Sequence, residues 1–270
     1  MSVTAPQATA VPMAVVVTGA SHGLGAALAL HYAAPGVALA LIGRNPDRLD
    51  EVATSCRQRG AEVEAAAIDV RDGASLGDFL RGFDARHPVA VVIANAGVEG
   101  SLAPGRASEP EDAVLAQLRI NLEGAIATVS PLIEPMRARR AGRIVLISSL
   151  AALMPLADQP AYSASKAGLM AWGEALLAWL RPQGIRVTIV CPGYIATGMS
   201  DRYRGARPFQ WSAERAARHI AAGAARGRAM VAFPWPLVWL IRLGRLAPRP
   251  VRAAFIDRFL RFEIDAPAAL

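Results

Sequence analysis

Seven short apolar runs punctuate the chain, and longer stretches with helical spacing separate them. The runs are Ala14–Thr18, Val37–Ile42, Glu62–Ile68, Val89–Ala94, Arg143–Ser148, Ile185–Cys191 and Met230–Phe233. Most are continuous in apolar character rather than alternating, as strands buried on both faces require. Helical patterns fall near residues 23–34, 46–59, 74–86, 111–139, 160–181 and 212–227. Strands and helices taking turns predict a parallel sheet with helices on both sides, a doubly wound α/β fold of about seven strands. Ligands on such sheets bind beyond the carboxyl ends of the strands, so the residues just after each run are the ones to read for chemistry.

The 53% hydrophobic and 19% charged composition leaves ample apolar material for a core. The expected organisation is a loose tail at 1–12, a dinucleotide-binding and catalytic domain at 13–233, and an amphipathic helical extension at 234–270. The first twelve residues hold no Lys or Arg and do not read as a secretory signal. Cys56 and Cys191 make no redox or metal-ligand spacing, so reduced thiols, no metal site and a cytoplasmic setting are expected. The formal charge of +7 raises nucleic acid as a partner. No basic run with interleaved aromatics occurs in the first 200 residues, which argues against it.

The first run leads into Thr18-Gly19-Ala20-Ser21-His22-Gly23-Leu24-Gly25, and an apolar helix follows. Glycines between a strand and a helix allow a tight turn and let the backbone approach a pyrophosphate at the helix N-terminus. The second run ends Gly43-Arg44, with no acid between Gly36 and Pro46. An acid there would bind a ribose 2′-hydroxyl, whereas Arg44 suits a 2′-phosphate, so NADP(H) is favoured over NAD(H). The plain alternative is that Arg44 is one surface Arg among 28.

Tyr162-Ser163-Ala164-Ser165-Lys166 opens a further apolar helix. Residues four apart share a helix face, so Tyr162 and Lys166 project the same way. A phenol is a poor acid/base at neutral pH unless a nearby cation lowers its pKa. Lys166 is the only Lys in the chain. In a sequence that uses Arg at every other basic position, a compact ammonium at this place argues against chance.

The Gly-x3-Gly-x-Gly spacing resembles the short-chain dehydrogenase/reductase family, whose glycine motif is TGxxxGxG. Thr18, Gly19, Gly23 and Gly25 match it, and Ser21, His22 and Leu24 lie in the same turn. The resemblance runs over about residues 13–233 and implies hydride transfer between a nicotinamide and a carbonyl or alcohol carbon. It implies that His22 stands where NADP-specific members often carry a second basic residue. It makes Asp69, with Val70, an adenine contact, the alternative being a cap or turn Asp. Asn95-Ala96-Gly97 matches the family's NAG motif beside the cofactor ribose. Ser149, thirteen residues before Tyr162, would hold the reacting oxygen, with Ser148 the neighbouring alternative. Asn121 matches the Asn that holds a water linked to the Lys, the alternative being a surface or capping amide. Pro192-Gly193-Tyr194-Ile195-Ala196-Thr197 matches the PGxxxT turn against the nicotinamide, with Ile195 and Thr197 meeting the carboxamide. Tyr162 and Lys166 complete the cofactor-side and catalytic set. Tyr194 and Tyr203 are the substrate candidates, and residues 198–211 a lid. Family members often form dimers or tetramers through helices like 111–139 and 160–181.

Past the last run, Trp235, Trp239, Arg242, Arg245, Arg249 and Arg252 alternate with apolar residues. Val251, Phe255, Phe259 and Phe262 recur at helical spacing. The apolar run is too short to span a bilayer. It suits peripheral contact with a membrane surface, or packing on the domain or a partner subunit. An NAD(H)-linked alcohol dehydrogenase and a non-catalytic nucleotide-binding or regulatory protein are the competing functions.

Overall fold

A computed structural model describes residues 13–248, 250–251 and 263–264, apart from 104, 106, 199, 201–202 and 205–206. The tail at 1–12 and the expected face of Phe255, Phe259 and Phe262 lie outside the described residues. Seven strands form one sheet: β1 (Met13–Thr18), β2 (Val37–Gly43), β3 (Glu62–Ala67), β4 (Val89–Ala94), β5 (Gly142–Ile147), β6 (Ile185–Pro192) and β7 (Met230–Phe233). Every pairing in it is parallel, in the order β7-β6-β5-β4-β1-β2-β3. The chain winds outward from β1 on one side and from β4 on the other. The crevice between these two carboxyl ends is where such a sheet takes a ligand.

The continuity of the apolar runs has its cause in this layering. On β1, Val15 and Val17 enter one core and Ala14 and Val16 the other. The first core is closed by α1 (Gly23–Tyr32), α2 (Pro46–Gln58) and α8 (Ala213–Ala225), through Leu28, Leu49, Ala53 and Ile220. The second is closed by α3 (Gly73–Arg86), α5 (Gly124–Arg139) and α7 (Pro160–Leu180), through Leu80, Phe83, Leu132 and Leu176. β3 is one of the two edge strands and is only partly covered, which fits its two Glu residues.

The stretch expected over 111–139 is helical throughout but not α-helical throughout. It runs as α4 (Glu111–Leu118), a π-helical turn at Arg119–Glu123, and α5. After the last sheet strand, Met230–Phe233, the chain forms α9 (Trp235–Leu246), which packs on the end of the sheet beside α6 (Leu150–Leu153). Leu150, Met154, Ile189, Cys191, Val238 and Ile241 share a third core there.

Candidate active site

The first half of the crevice is made by backbone. Thr18 Oγ accepts from the amides of Asn95 (3.1 Å) and Ala96 (3.2 Å), while Asn95 Nδ2 donates to the Thr18 carbonyl at 2.9 Å. These bonds tie the ends of β1 and β4 together across the switch point. Gly19 and Gly23 have φ of +66° and +58°, a region that side chains other than glycine's rarely adopt. A Cβ on Gly25 would stand 2.0 Å from the Gly19 carbonyl oxygen, and one on Gly23 would stand 3.1 Å from Thr197 Cγ2. The slot is therefore open because these residues have no side chains. His22 caps α1 without a side-chain bond, so the helix offers free N–H groups to the slot. Such a cradle fits a pyrophosphate.

At the rim, the last residue of β2 is Gly43, whose Cβ would face Ser21 Cβ at 3.2 Å. Arg44 follows, exposed. Burial holds His22 below its usual pKa, and the charges of Arg48 and Arg44 push it down further. The rim cation absent from the sequence reading is thus Arg48, which α2 brings within charge range of His22, as Arg44 is. Helical spacing after the capping Asn45 is the signal that could have found it. Asp69 follows β3 within range of the charge of Arg44. Its carboxylate takes a bidentate bond from Arg71, as close as 2.7 Å, which keeps it below the usual carboxylate range. Asp72, not Asp69, caps α3, and Asp69 Oδ1 accepts from the Arg71 amide at 2.9 Å. Val70 is buried and packs against Gly124.

Beyond the slot lies a cavity of about 370 Å³. Its lining joins Gly19, His22 to Gly25, Asn95 to Gly97, Ser149, Tyr162, Lys166, Pro192 to Ile195 and Thr197, residues from the ends of β1, β4, β5 and β6 and from the helices α1 and α7. Tyr162 and Lys166 share a face of α7, with Lys166 Nζ 5.8 Å from the phenol ring centre and donating to the Ile147 carbonyl at 2.9 Å. The two serines divide as strand alternation requires. Ser148 Oγ turns inward and donates to the Lys166 carbonyl (2.9 Å). Ser149 opens to the cavity, accepts from the Ala151 amide (3.1 Å) and bonds the Tyr162 side chain. Asn121 is fully buried inside the π turn, not in a regular helix. Its amide pairs with both backbone groups of Val98 (2.8 Å each) and donates to Ser165 Oγ (2.9 Å). Its Oδ1 and Lys166 Nζ approach the open side of Gly97, at 3.2 and 3.3 Å from where a Cβ would be.

Burial pulls Lys166 down to about 8. It raises Tyr162 above its ordinary pKa, and the charge of Glu99 raises it further, against the Ser149 bond. Burial and the charge of Glu99, rather than the depression expected from Lys166, set the direction of the phenol's shift here. Glu99 is the second residue that sequence reading missed. It is buried in the cavity wall, and its charge also reaches Tyr194 and Lys166. Nothing in its local sequence sets it apart.

The far wall is apolar: Leu150, Met154 and Leu156, with Leu237, Leu240 and Ile241 from α9. Tyr194 lies in this wall, whereas only the backbone of Tyr203 is described, paired with Ile264. Over the expected lid, Ser200 and Pro208 reach the cavity. Trp211 does not: it stacks on Phe233 at 4.6 Å between ring centres and carries Arg215 at 4.0 Å.

The profile of the short chain dehydrogenase family matches residues 13–207. An uncharacterized oxidoreductase of Myxococcus xanthus is 35% identical over 237 residues, 87% of this chain and 93% of the relative. The 11-beta-hydroxysteroid dehydrogenase-like 2 protein of Arabidopsis thaliana is 33% identical, over 88% of this chain and 78% of its own. Among solved structures, a short-chain dehydrogenase from Sphingobium yanoikuyae in complex with NADPH superposes with a TM-score of 0.75 at 25% identity. It covers 95% of this chain and 98% of that one.

Proposed function

The chain belongs to the short-chain dehydrogenase family of oxidoreductases, and from that premise we propose that it is an NADP(H)-dependent enzyme interconverting a lipophilic carbonyl compound and its alcohol. The observation that carries the reading is the meeting of Tyr162, Ser149 and Lys166 in one cavity with the glycine cradle.

The dinucleotide would lie along Gly19 to Gly25 and Asn95 to Gly97, with the turn from Pro192 to Thr197 against its nicotinamide; when bound, it supplies or accepts the hydride. The Tyr162 phenol, kept protonated by burial and by Glu99, gives its proton to the carbonyl oxygen during reduction. Ser149 Oγ accepts from Ala151 and bonds the Tyr162 side chain, so its hydroxyl stands beside the phenol where it can turn to the same oxygen. Lys166, beneath the phenol, balances the charge that Tyr162 takes on after giving up its proton. Asn121 is a positioning residue that holds the Val98 turn and, through Ser165, the start of α7; on the Gly97 side it and Lys166 frame a proton route.

The 2′-phosphate preference rests on Gly43 in place of an acid and on Arg44 and Arg48 at the rim. The NADPH complex of the related Sphingobium enzyme supports it. Neutral His22 favours the second reading, NAD(H)-linked alcohol oxidation, because it leaves the rim one cation short of the usual pair at its motif position. Titrating NADPH and NADH against the protein and against Arg44→Ala separates them. NADPH should bind about tenfold more tightly or better, the worth of one charged hydrogen bond. Arg44→Ala should remove most of that advantage. Equal or tighter NADH binding brings alcohol oxidation forward.

Exposed Leu115 on α4 and Trp179 on α7, the latter under Arg137 at 5.5 Å, support a homodimer or tetramer through these helices. Among the described residues no helix is long and apolar enough to cross a membrane. A cytoplasmic setting, at most peripheral to a membrane, remains the proposal.

A further inference from the structure

Helix α9 has two apolar faces and needs only one of them for packing. Val238 and Ile241 are buried on the third core, while Leu237, Leu240 and Ile241 line the cavity. On the opposite side Trp235, Trp239, Leu243 and Leu246 are 72, 55, 61 and 83% exposed. Their spacing of four, four and three residues sets them in one stripe along the helix. A contiguous exposed apolar stripe on a described surface marks an interaction site more often than scattered single residues do.

The charge beside the stripe says what kind of surface covers it. Arg242 stands over the Trp239 ring at 5.7 Å, Arg245 follows one turn on, and α9 contains no acidic residue. Residues 215–256 hold eight Arg and no Asp or Glu, so this stretch alone carries more positive charge than the +7 of the whole chain. Tryptophan with flanking arginine matches the interface of an anionic bilayer, where the ring lies at the headgroup level and the guanidinium meets phosphate. A helix of 12 residues spans about 18 Å, too short to cross a bilayer and suited to lie along it.

We propose that the outer face of α9 docks on an anionic lipid surface, so that the helix is both the membrane contact and a wall of the substrate cleft. The proposal rests on the reading of that cleft as the substrate site. It narrows the substrate class to membrane-partitioned ketones, aldehydes or alcohols, which would pass beside Leu240, exposed to solvent and lining the cavity at once.

The test is co-sedimentation of the full chain with vesicles of phosphatidylcholine alone and of phosphatidylcholine with an equal share of phosphatidylglycerol. NADPH binding is measured on the same samples. The expected result is capture by the anionic vesicles only, loss of capture at high salt, and a drop of about tenfold or more in partitioning for Trp235→Ser with Trp239→Ser. Arg242→Gln with Arg245→Gln should lose the anionic preference. All variants alter exposed side chains and should bind NADPH as the parent does. No capture by either vesicle overturns the proposal. So does capture unchanged by the Trp pair. Protection of the stripe by a second copy or by residues 252–270, seen by cross-linking from Cys placed at Leu243, also overturns it. If NADPH does not bind the parent, the cleft reading fails on its own evidence, whatever the vesicles show.

Discussion

The two ends of the cleft are built from different material. At the nucleotide end the surface is main chain: glycines whose missing side chains form the slot, amides at the start of α1, and a hydrogen-bonded clamp between Thr18 and Asn95. At the substrate end the surface is side chain, contributed by segments more than 130 residues apart, from Glu99 to Leu237. The first kind of surface fits one ligand shape and tolerates almost no substitution. The second can be resized one residue at a time without touching the first. This difference explains how one scaffold keeps its cofactor while substrates vary.

Substitutions at each end break or sharpen that contrast. The largest effect is expected for Gly25→Ala, since its Cβ would lie 2.0 Å from a backbone oxygen that cannot swing away. Nucleotide binding should fall below detection in a fluorescence titration, with a lower melting temperature. Retained NADPH affinity would show that the slot is not held by the backbone. Next is Tyr162→Phe, at the junction of the two ends. Loss of the proton donor should lower kcat by roughly 10²- to 10⁴-fold while NADPH affinity holds; a loss of only a few-fold would remove Tyr162 from the acid/base role.

Leu237→Ala acts on the substrate end alone. Widening the wall should change the kcat/KM ratio between a bulky and a small ketone by about tenfold, with NADPH affinity unmoved. An equal loss for both ketones, or a weakened cofactor, would mean that α9 supports the fold rather than the pocket. The smallest effect is expected for Glu99→Gln. The carboxylate raises the Tyr162 pKa, so removing its charge should move the phenol's titration to lower pH. In the oxidative direction, where phenolate is the active form, the rise of kcat with pH should begin earlier. A profile that stays in place would separate Glu99 from the acid/base pair.

Much of the scaffold was legible because it is encoded locally. All seven sheet strands were found within a residue or two, since burial on both faces leaves continuous apolar runs. The glycine turn and the shared face of Tyr162 and Lys166 were legible for the same kind of reason: spacing along one element sets where side chains point. The choice of Ser149 over Ser148 rested on the family resemblance, since alternation says only that the two face opposite ways. The helical stretch over 111–139 was legible, but its π turn was not, because a π turn needs no breaker residue and leaves no composition signal. That turn holds Asn121, a buried brace rather than a surface or capping amide.

The sequence by itself determined the sheet, the side of it that takes the ligand, and the residues that meet at the strand ends. Each of these follows from periodicity or from motifs within a few residues. Only the tertiary structure decided that Glu99 looks at Tyr162, that Arg48 joins Arg44 within charge range of His22, and that α9 closes the cleft with one face while exposing Trp235 and Trp239 on the other. Burial, charge at a distance and the free face of a helix are properties of neighbours brought together by folding, and no local pattern records them.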